Sequence, residues 1–276
     1  GVAAQFFRAV GTGGKRPGPV TALTQIRLVL PQFRLQAAHI DQYHALCGFE
    51  SRQGVSLLYP QLLTFPLVMA YVCSDDCPWP ALGTVHLANA IAQQEPLHAG
   101  DTVRVELCSG ALLAHDKGQV FCLDLAVWRG DTQVWSATQS LLRVGVQPAQ
   151  GPAFRSQLDA GPALSYQTGF KAAADIGRRY GVVSGDRNPI HLSAWTARLF
   201  GFRRAIAHGM WTQARALSYL LPQRPVQQAR LAVEFKTPLF LPGSAALWSA
   251  RSAEGASFEV RDASGTRPHL RGQLRF

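Results

Sequence analysis

One order of elements occurs twice in this 276-residue chain, and it restricts the fold more than any other feature. In the first half, an amphipathic stretch at 37–47 (AAHIDQYHALC) is followed by a longer apolar one at 62–73. Four segments of strand character come next, at 84–95, 102–109, 119–128 and 133–144. The second half runs in the same order: a helix at 172–183, a longer helix at 208–221, then strands near 227–238, 244–252, 256–262 and 268–276. Val103, Val105 and Leu107 alternate with Thr102, Arg104 and Glu106. Leu231, Val233 and Phe235 alternate in the same way with Arg230, Ala232 and Glu234, the period of a sheet with one buried face. One more strand is expected at 24–30.

The repetition extends to letters. LANAIAQQEPLHAGD (87–101) lies opposite ARLAVEFKTPLFLPGS (229–244), so that Pro96-Leu97 matches Pro238-Leu239 and Gly100 matches Gly243. Pairing Ile40 with Ile176, and Pro66 with Gly209, places a deletion of about seven residues in the first half. Pro66 is tolerable within the long helix if it falls in the first turn. The division that follows is a solvated tail at 1–20, a first unit at 21–146, a Gly- and Pro-rich linker at 147–163 and a second unit at 164–276. Residues 1–40 hold no Asp or Glu, which leaves a faint likeness to a transit peptide beside the tail reading.

The segment absent from the first half is where the second carries its chemistry-bearing residues. YGVVSGDRNPIH (180–191) sets a carboxylate, Asp186, and an imidazole, His191, five residues apart across an Asn-Pro turn. Proline biases Asn188 away from helix, so the turn can aim both side chains at one point. AHGMW (207–211) then places Gly209 at the start of the long helix. An acid, an imidazole and a helix N-terminus with unpaired N–H groups are what activation of a water and stabilisation of an oxyanion require. Taken singly, Asp186 could cap a turn and His191 could be a core histidine. Asn188 is expected to hold the turn, and His208 to pack or hydrogen-bond locally.

Composition narrows the partners. With 47% hydrophobic and 16% charged residues the chain folds around a sizeable core. The most apolar run is too short for a membrane span. Five cysteines without a regular framework indicate reduced thiols and a cytoplasmic protein, and no second Cys/His pair follows Cys73 and Cys77 at zinc spacing, so no metal is expected. Lys and Arg balance Asp and Glu over residues 1–144, 10 against 10, but exceed them over 145–276, 17 against 7. The basic half points to an anionic partner or simply to a solvated face. Nucleic acid is disfavoured, because no stacking aromatic run or basic helix accompanies the charge.

SGDRNPIH (184–191) with IAHGM (206–210) resembles the signature of the MaoC-like dehydratases, the family of R-specific 2-enoyl-CoA hydratases. The resemblance is specific over 165–240 and architectural elsewhere. It implies an α+β double hotdog, two tandem repeats each with a long helix wrapped by antiparallel sheet, the first lacking the catalytic motif. It further implies that Asp186 and His191 hold one water, delivering hydroxyl to C3 and a proton to C2 of a trans-2-enoyl thioester or reversing that addition, while Gly209 offers its N–H to the thioester oxygen. No cofactor is implied. The partner would be an acyl-CoA or acyl carrier protein thioester, and the protein a monomer of two hotdogs or a homodimer. Asn188, Trp211, Arg203 and Arg204 are the candidate substrate-binding residues, Trp211 by narrowing the acyl pocket and the arginines by meeting carrier phosphates. Ala205 and Trp211 depart from the residues usual at their positions. Arg215, one turn beyond Trp211, is expected at an exposed edge. The alternative is a non-catalytic scaffold that binds acyl thioesters.

Overall fold

The computed structural model describes residues 11–81, 83–159 and 161–276. Ten strands form a single antiparallel sheet: β1 (Arg27–Arg34), β2 (Thr84–Gln93), β3 (Thr102–His115), β4 (Gly118–Arg129), β5 (Thr132–Val144), β6 (Ser165–Ala172), β7 (Ala229–Phe235), β8 (Gly243–Ser252), β9 (Gly255–Asp262) and β10 (Pro268–Arg275). Their order is β1-β3-β4-β5-β2-β7-β10-β9-β8-β6. Read outward from the β2–β7 seam, the two halves carry equivalent strands in the same sequence, so the internal repeat becomes a pseudo-twofold. Ala90 pairs with Ala232 and Asn89 with Val233 across that seam.

Among the described residues five α-helices complete the fold: α1 (Ala37–Cys47), α2 (Pro60–Val72), α3 (Ile176–Ser184), α4 (Ala194–Arg198) and α5 (Gly209–Leu220). The long helices α2 and α5 lie against their own repeats' strands, α2 on β1, β3 and β4, α5 on β9 and β10, while α1 packs on α3 and α5 of the other repeat. The alternating residues of β3 and β7 behave as the sheet period requires: Val103, Val105, Leu107, Leu231 and Val233 are all buried. They belong to one continuous core that includes Tyr43, Trp135 and Trp211 and draws on both repeats. Separating the halves would expose this core to water, so they form one structural unit.

Four expectations change. The first strand starts three residues later and runs to Arg34. Residues 165–171, left without an element, and Ala172, expected to open the helix, form the edge strand β6, where the burial pattern is too exposed to show an apolar period, and the helix starts at Ile176. Pro66 lies in the interior of α2, on its exposed side, and Pro60 opens the helix. Gly209 therefore corresponds at the helix start to Pro60 and not to Pro66, and the connection at 185–208 exceeds its counterpart at 48–59 by more than seven residues. The described part of the expected tail is also not free in solvent. Thr12 is buried and accepts a hydrogen bond from the Ala81 N–H at 3.0 Å, and the Lys15 ammonium donates to the carbonyls of Ser74 and Cys77. Residues 1–10 lie outside the described residues.

Candidate active site

The loop that bears Asp186 and His191 leaves α3 at Gly185, whose φ of +80° is the left-handed conformation that glycine adopts without strain. It then folds on its own side chains. Asn188 N–H donates to Asp186 Oδ1 at 3.1 Å, and Asn188 Oδ1 accepts from Ile190 N–H at 3.3 Å, capping the short turn Pro189–His191. From outside, α4 braces that turn: Thr196 Oγ1 donates to the Pro189 carbonyl at 2.6 Å, and Ser193 caps the helix by accepting from Thr196 N–H.

Two further supports hold the imidazole. Ile206 N–H donates to the Ile190 carbonyl at 3.1 Å, and the Ile206 carbonyl accepts from His191 Nδ1–H at 2.8 Å. With the proton on Nδ1, the neutral ring presents the Nε2 lone pair. Burial lowers the His191 pKa, opposed by the Asp186 carboxylate and the Ile206 carbonyl, so the ring is neutral around neutral pH. His208 stacks on it with ring centroids 3.6 Å apart and donates Nε2–H to the Asp186 carbonyl at 3.0 Å. Burial and the neighbouring His191 push His208 down to about 3. Its role here is packing and local hydrogen bonding.

Ligating atoms of Asp186, His191 and His208 all lie within 4.8 Å of one another. Three such side chains could surround a cation, but His191 Nδ1 and His208 Nε2 already spend their N–H groups on carbonyls. The lone pairs left in this group belong to the Asp186 carboxylate, 3.7 Å from His208 Nε2 through Oδ2, to His191 Nε2 and to the buried His208 Nδ1; the carboxylate and His191 Nε2 are two hydrogen-bond acceptors suited to one water. The carboxylate is partly accessible and the imidazole buried.

The pair borders a cavity of about 420 Å³. Gly209 and Met210 of α5 lie on its wall, and the N-cap residue His208 makes no side-chain capping bond, so among the described residues the first N–H groups of the helix are left available. Gly209 is not in the left-handed region; it provides room, since a Cβ there would meet two carbons of the Phe235 ring at 2.8 Å. Much of the lining comes from the repeat without the motif, including Leu62, Phe65, Val68 and His86. Phe65 also packs near Gly185, at 3.5 Å from the position a Cβ would take.

Of the sequence-derived candidates, Asp186, His191, Asn188 and Gly209 converge on the cavity, whereas Trp211, Arg203 and Arg204 are not part of its lining. Trp211 is buried on the other side of α5. Its indole donates to the Leu46 carbonyl at 3.3 Å and meets Phe170 edge-on. Two residues past Gly209, its direction has turned about 200° around the helix, which takes it away from the cavity. Arg203 and Arg204 are exposed and stack over Phe240, with Arg203 4.5 Å from the ring centroid. Arg215 binds the Cys47 carbonyl and the Tyr219 hydroxyl.

Sequence reasoning missed Gly177 and Gly181, one turn apart on α3. A Cβ on Gly177 would sit 1.9 Å from the His191 carbonyl oxygen, and one on Gly181 2.7 Å from that of Asp186. The G-x-x-x-G spacing was visible in GRRYG, but nothing local says which face meets the loop. Also missed were Arg187 and Lys236, exposed cations on the cavity wall, and His86, whose ring lies 4.8 Å from that of Phe235. Burial pushes His86 down to about 4, partly offset by Asp186.

These histidines make folding sensitive to acid. His44, His86, His191, His208 and His269 all have lowered pKa values, with burial the largest cause in each. Below the ordinary value of 6.5 the unfolded chain takes protons that the folded one refuses, until the folded values, about 4 for His86 and about 3 for His208, are reached. Stability therefore rises with pH across that window and is lost on acidification. The melting temperature is expected to be clearly lower at pH 5 than at pH 7.5 in calorimetry; equal values would contradict the buried, neutral rings.

Compared with known proteins, residues 161–246 match the family model described as a MaoC like domain. The chain is 32% identical over 253 residues to 3-hydroxyacyl-thioester dehydratase X of Mycobacterium tuberculosis, covering 90% of this chain and 88% of that relative. The crystal structure of HtdX from the same organism matches with a TM-score of 0.76 at 30% identity, covering 91% of this chain and 99% of that one. A MaoC-like dehydratase from Phytophthora capsici shares the fold, with a TM-score of 0.77 at 14% identity over 93% and 96% of the two chains. So does a conserved Mycobacterium tuberculosis protein described as a double hotdog, with a TM-score of 0.55 at 12% identity over 93% and 97%. With the twofold sheet, its two long helices and this kinship along most of its length, the chain is a double hotdog and belongs to the MaoC-like dehydratases.

Proposed function

We propose that the protein is a hydro-lyase that interconverts trans-2-enoyl thioesters and (R)-3-hydroxyacyl thioesters. The observation that carries this reading is the meeting of Asp186 and His191 at the wall of a largely apolar cavity that also contains the uncapped start of α5. In the hydration direction, one water hydrogen-bonds to the carboxylate and to His191 Nε2. Its oxygen bonds to C3 while its proton passes to the pair. Negative charge develops on the thioester oxygen, where the Gly209 N–H and the positive end of the α5 dipole stabilise it. The proton then goes to C2, so the pair ends in the state in which it began, and dehydration retraces these steps.

The acyl chain runs along the apolar face of α2, and the exposed Arg187 and Lys236 at the rim suit the phosphates of a thioester carrier. None of the five cysteines is in a disulfide, which fits a reducing compartment such as the cytoplasm, and among the described residues no helix is long and apolar enough to cross a membrane. Assays with trans-2-enoyl-CoAs from crotonyl to hexadecenoyl, and with the matching carrier-protein thioesters, test this reading when the product is resolved on a chiral column. An (R)-3-hydroxyacyl product is expected. An (S) product, or no hydration of any member, would remove the assignment.

A further inference from the structure

Among the described residues, the three most exposed large apolar side chains belong to the elements that flank the site loop: Val182 at 64%, Trp195 at 80% and Leu199 at 81%. Trp195 and Leu199 stand one turn apart on α4, with the exposed Arg198 on the same outer face. The other face of α4 is the one that braces the loop, since Ala197 is buried and Thr196 Oγ1 donates to the Pro189 carbonyl at 2.6 Å. Val182 lies one turn after Arg178 on the outer face of α3. The Arg178 guanidinium donates to the Leu192 carbonyl at 3.2 Å, just ahead of α4, and so joins the outer surfaces of the two helices.

This surface runs to the cavity. Phe202, whose N–H donates to the Ala197 carbonyl at 3.1 Å, lines the cavity, and so does the exposed Arg187. Its charge has one sign. Residues 176–204 hold six arginines, all exposed, no lysine, and a single acid, Asp186, which belongs to the site. A face that only keeps a protein in solution mixes both signs and has no use for an exposed tryptophan. Tryptophan with arginine and without lysine is instead the composition of a protein interface.

Building on the hydro-lyase reading, we propose that the outer surface of α3 and α4 docks an acidic protein that carries the acyl thioester on a flexible arm. Apolar side chains of that carrier cover Trp195 and Leu199, its carboxylates meet the arginines, and the arm enters the cavity past Arg187. The charge selects this occupant: a second copy of the chain meeting the same surface would set arginines against arginines. Coenzyme A brings phosphates for Arg187 and Lys236 but no apolar surface for α4. Docking therefore favours the carrier-protein thioester alone, and it does so without entering the chemistry.

The test compares one crotonyl group on a bacterial acyl carrier protein and on coenzyme A, with the wild type and with two variants. One combines Trp195→Ala with Leu199→Ala; the other, Arg198→Glu, keeps the apolar contact and reverses the charge. In the wild type kcat/KM is expected to be about tenfold or more higher for the carrier-protein thioester, the scale of one or two interface anchors. Both variants should lose most of that advantage while their kcat/KM for crotonyl-CoA stays within about twofold of the wild type, a difference too small to count as an anchor lost. A wild type without the advantage overturns the proposal whether or not the variants fold, and so does an advantage that survives in folded variants. Equal losses on both substrates would mean that α4 acts only by bracing the loop, and overturn it too. Vesicles of phosphatidylglycerol that bind the wild type and not the variants, with carrier-protein kinetics unchanged, would assign the surface to a lipid and overturn it as well. Hydration of crotonyl-CoA without the carrier advantage sinks this inference alone, whereas no hydration of either thioester sinks the hydro-lyase reading and this inference with it.

Discussion

Asp186→Asn is expected to lower kcat/KM for crotonyl-CoA hydration by about 10²-fold or more, the scale of one positioned acid or base. His191→Gln should cost as much. Neither change should disturb the loop greatly. The amide oxygen introduced by Asp186→Asn can still accept from the Asn188 N–H, which lies 3.1 Å from Asp186 Oδ1 in the wild type. The amide nitrogen introduced by His191→Gln can still donate to the Ile206 carbonyl, which lies 2.8 Å from His191 Nδ1. The melting temperature should therefore stay near that of the wild type, which separates lost chemistry from lost structure. If the pair acts on one water, as proposed, the double variant should be scarcely worse than either single one. Turnover near the wild-type level in either variant would remove these residues from the reaction, and strictly multiplicative losses would mean that they act separately.

Gly177→Ala is expected to be nearly as damaging to activity, without touching any group that reacts. The new methyl would lie 1.9 Å from the His191 carbonyl oxygen and 2.9 Å from its carbonyl carbon. Both are backbone atoms, so no rotamer change relieves the overlap, and either α3 or the loop must move. The loop is braced by α4 and by Ile206, so the strain is shared, at about 1–3 kcal/mol of stability for overpacking of this kind. A displacement near 1 Å of the imidazole can lower the rate about 10²-fold. Gly181→Ala, with its closest approach at 2.7 Å, should show the same effect in weaker form. The measurement is kcat/KM together with thermal melting for both variants. A Gly177→Ala enzyme with wild-type rate and stability would show that the contact between α3 and the loop carries no such constraint.

The repeat, its helices and most of its strands were legible because periodicity reports which face of an element is buried. Edge strand β6 was not, since five of its eight residues are exposed and such a strand has no apolar period to read. The interior position of Pro66 went unread for a related reason: pairing the long helices by letters aligned the wrong turn, and only the observed start at Pro60 sets the register. Asp186, His191, Asn188 and Gly209 were legible because the turn and the helix start that position them are encoded within a few residues. Trp211 was placed in the pocket by its nearness in sequence to Gly209, and the helix rotation turned it into the core instead.

By itself the sequence determined that two similar units follow one another, that only the second bears an acid and an imidazole on a bent loop, and that a glycine opens the helix after them. Those are local matters, decided by turn chemistry and by the period of apolar residues. The tertiary structure alone decided that Gly177 and Gly181 admit the loop, that the Ile206 carbonyl sets the His191 tautomer, and that Gln61, Phe65 and His86 of the other unit wall the cavity. Each of these contacts joins segments far apart along the chain, and no periodicity within either segment records which face meets the other until the whole core has packed.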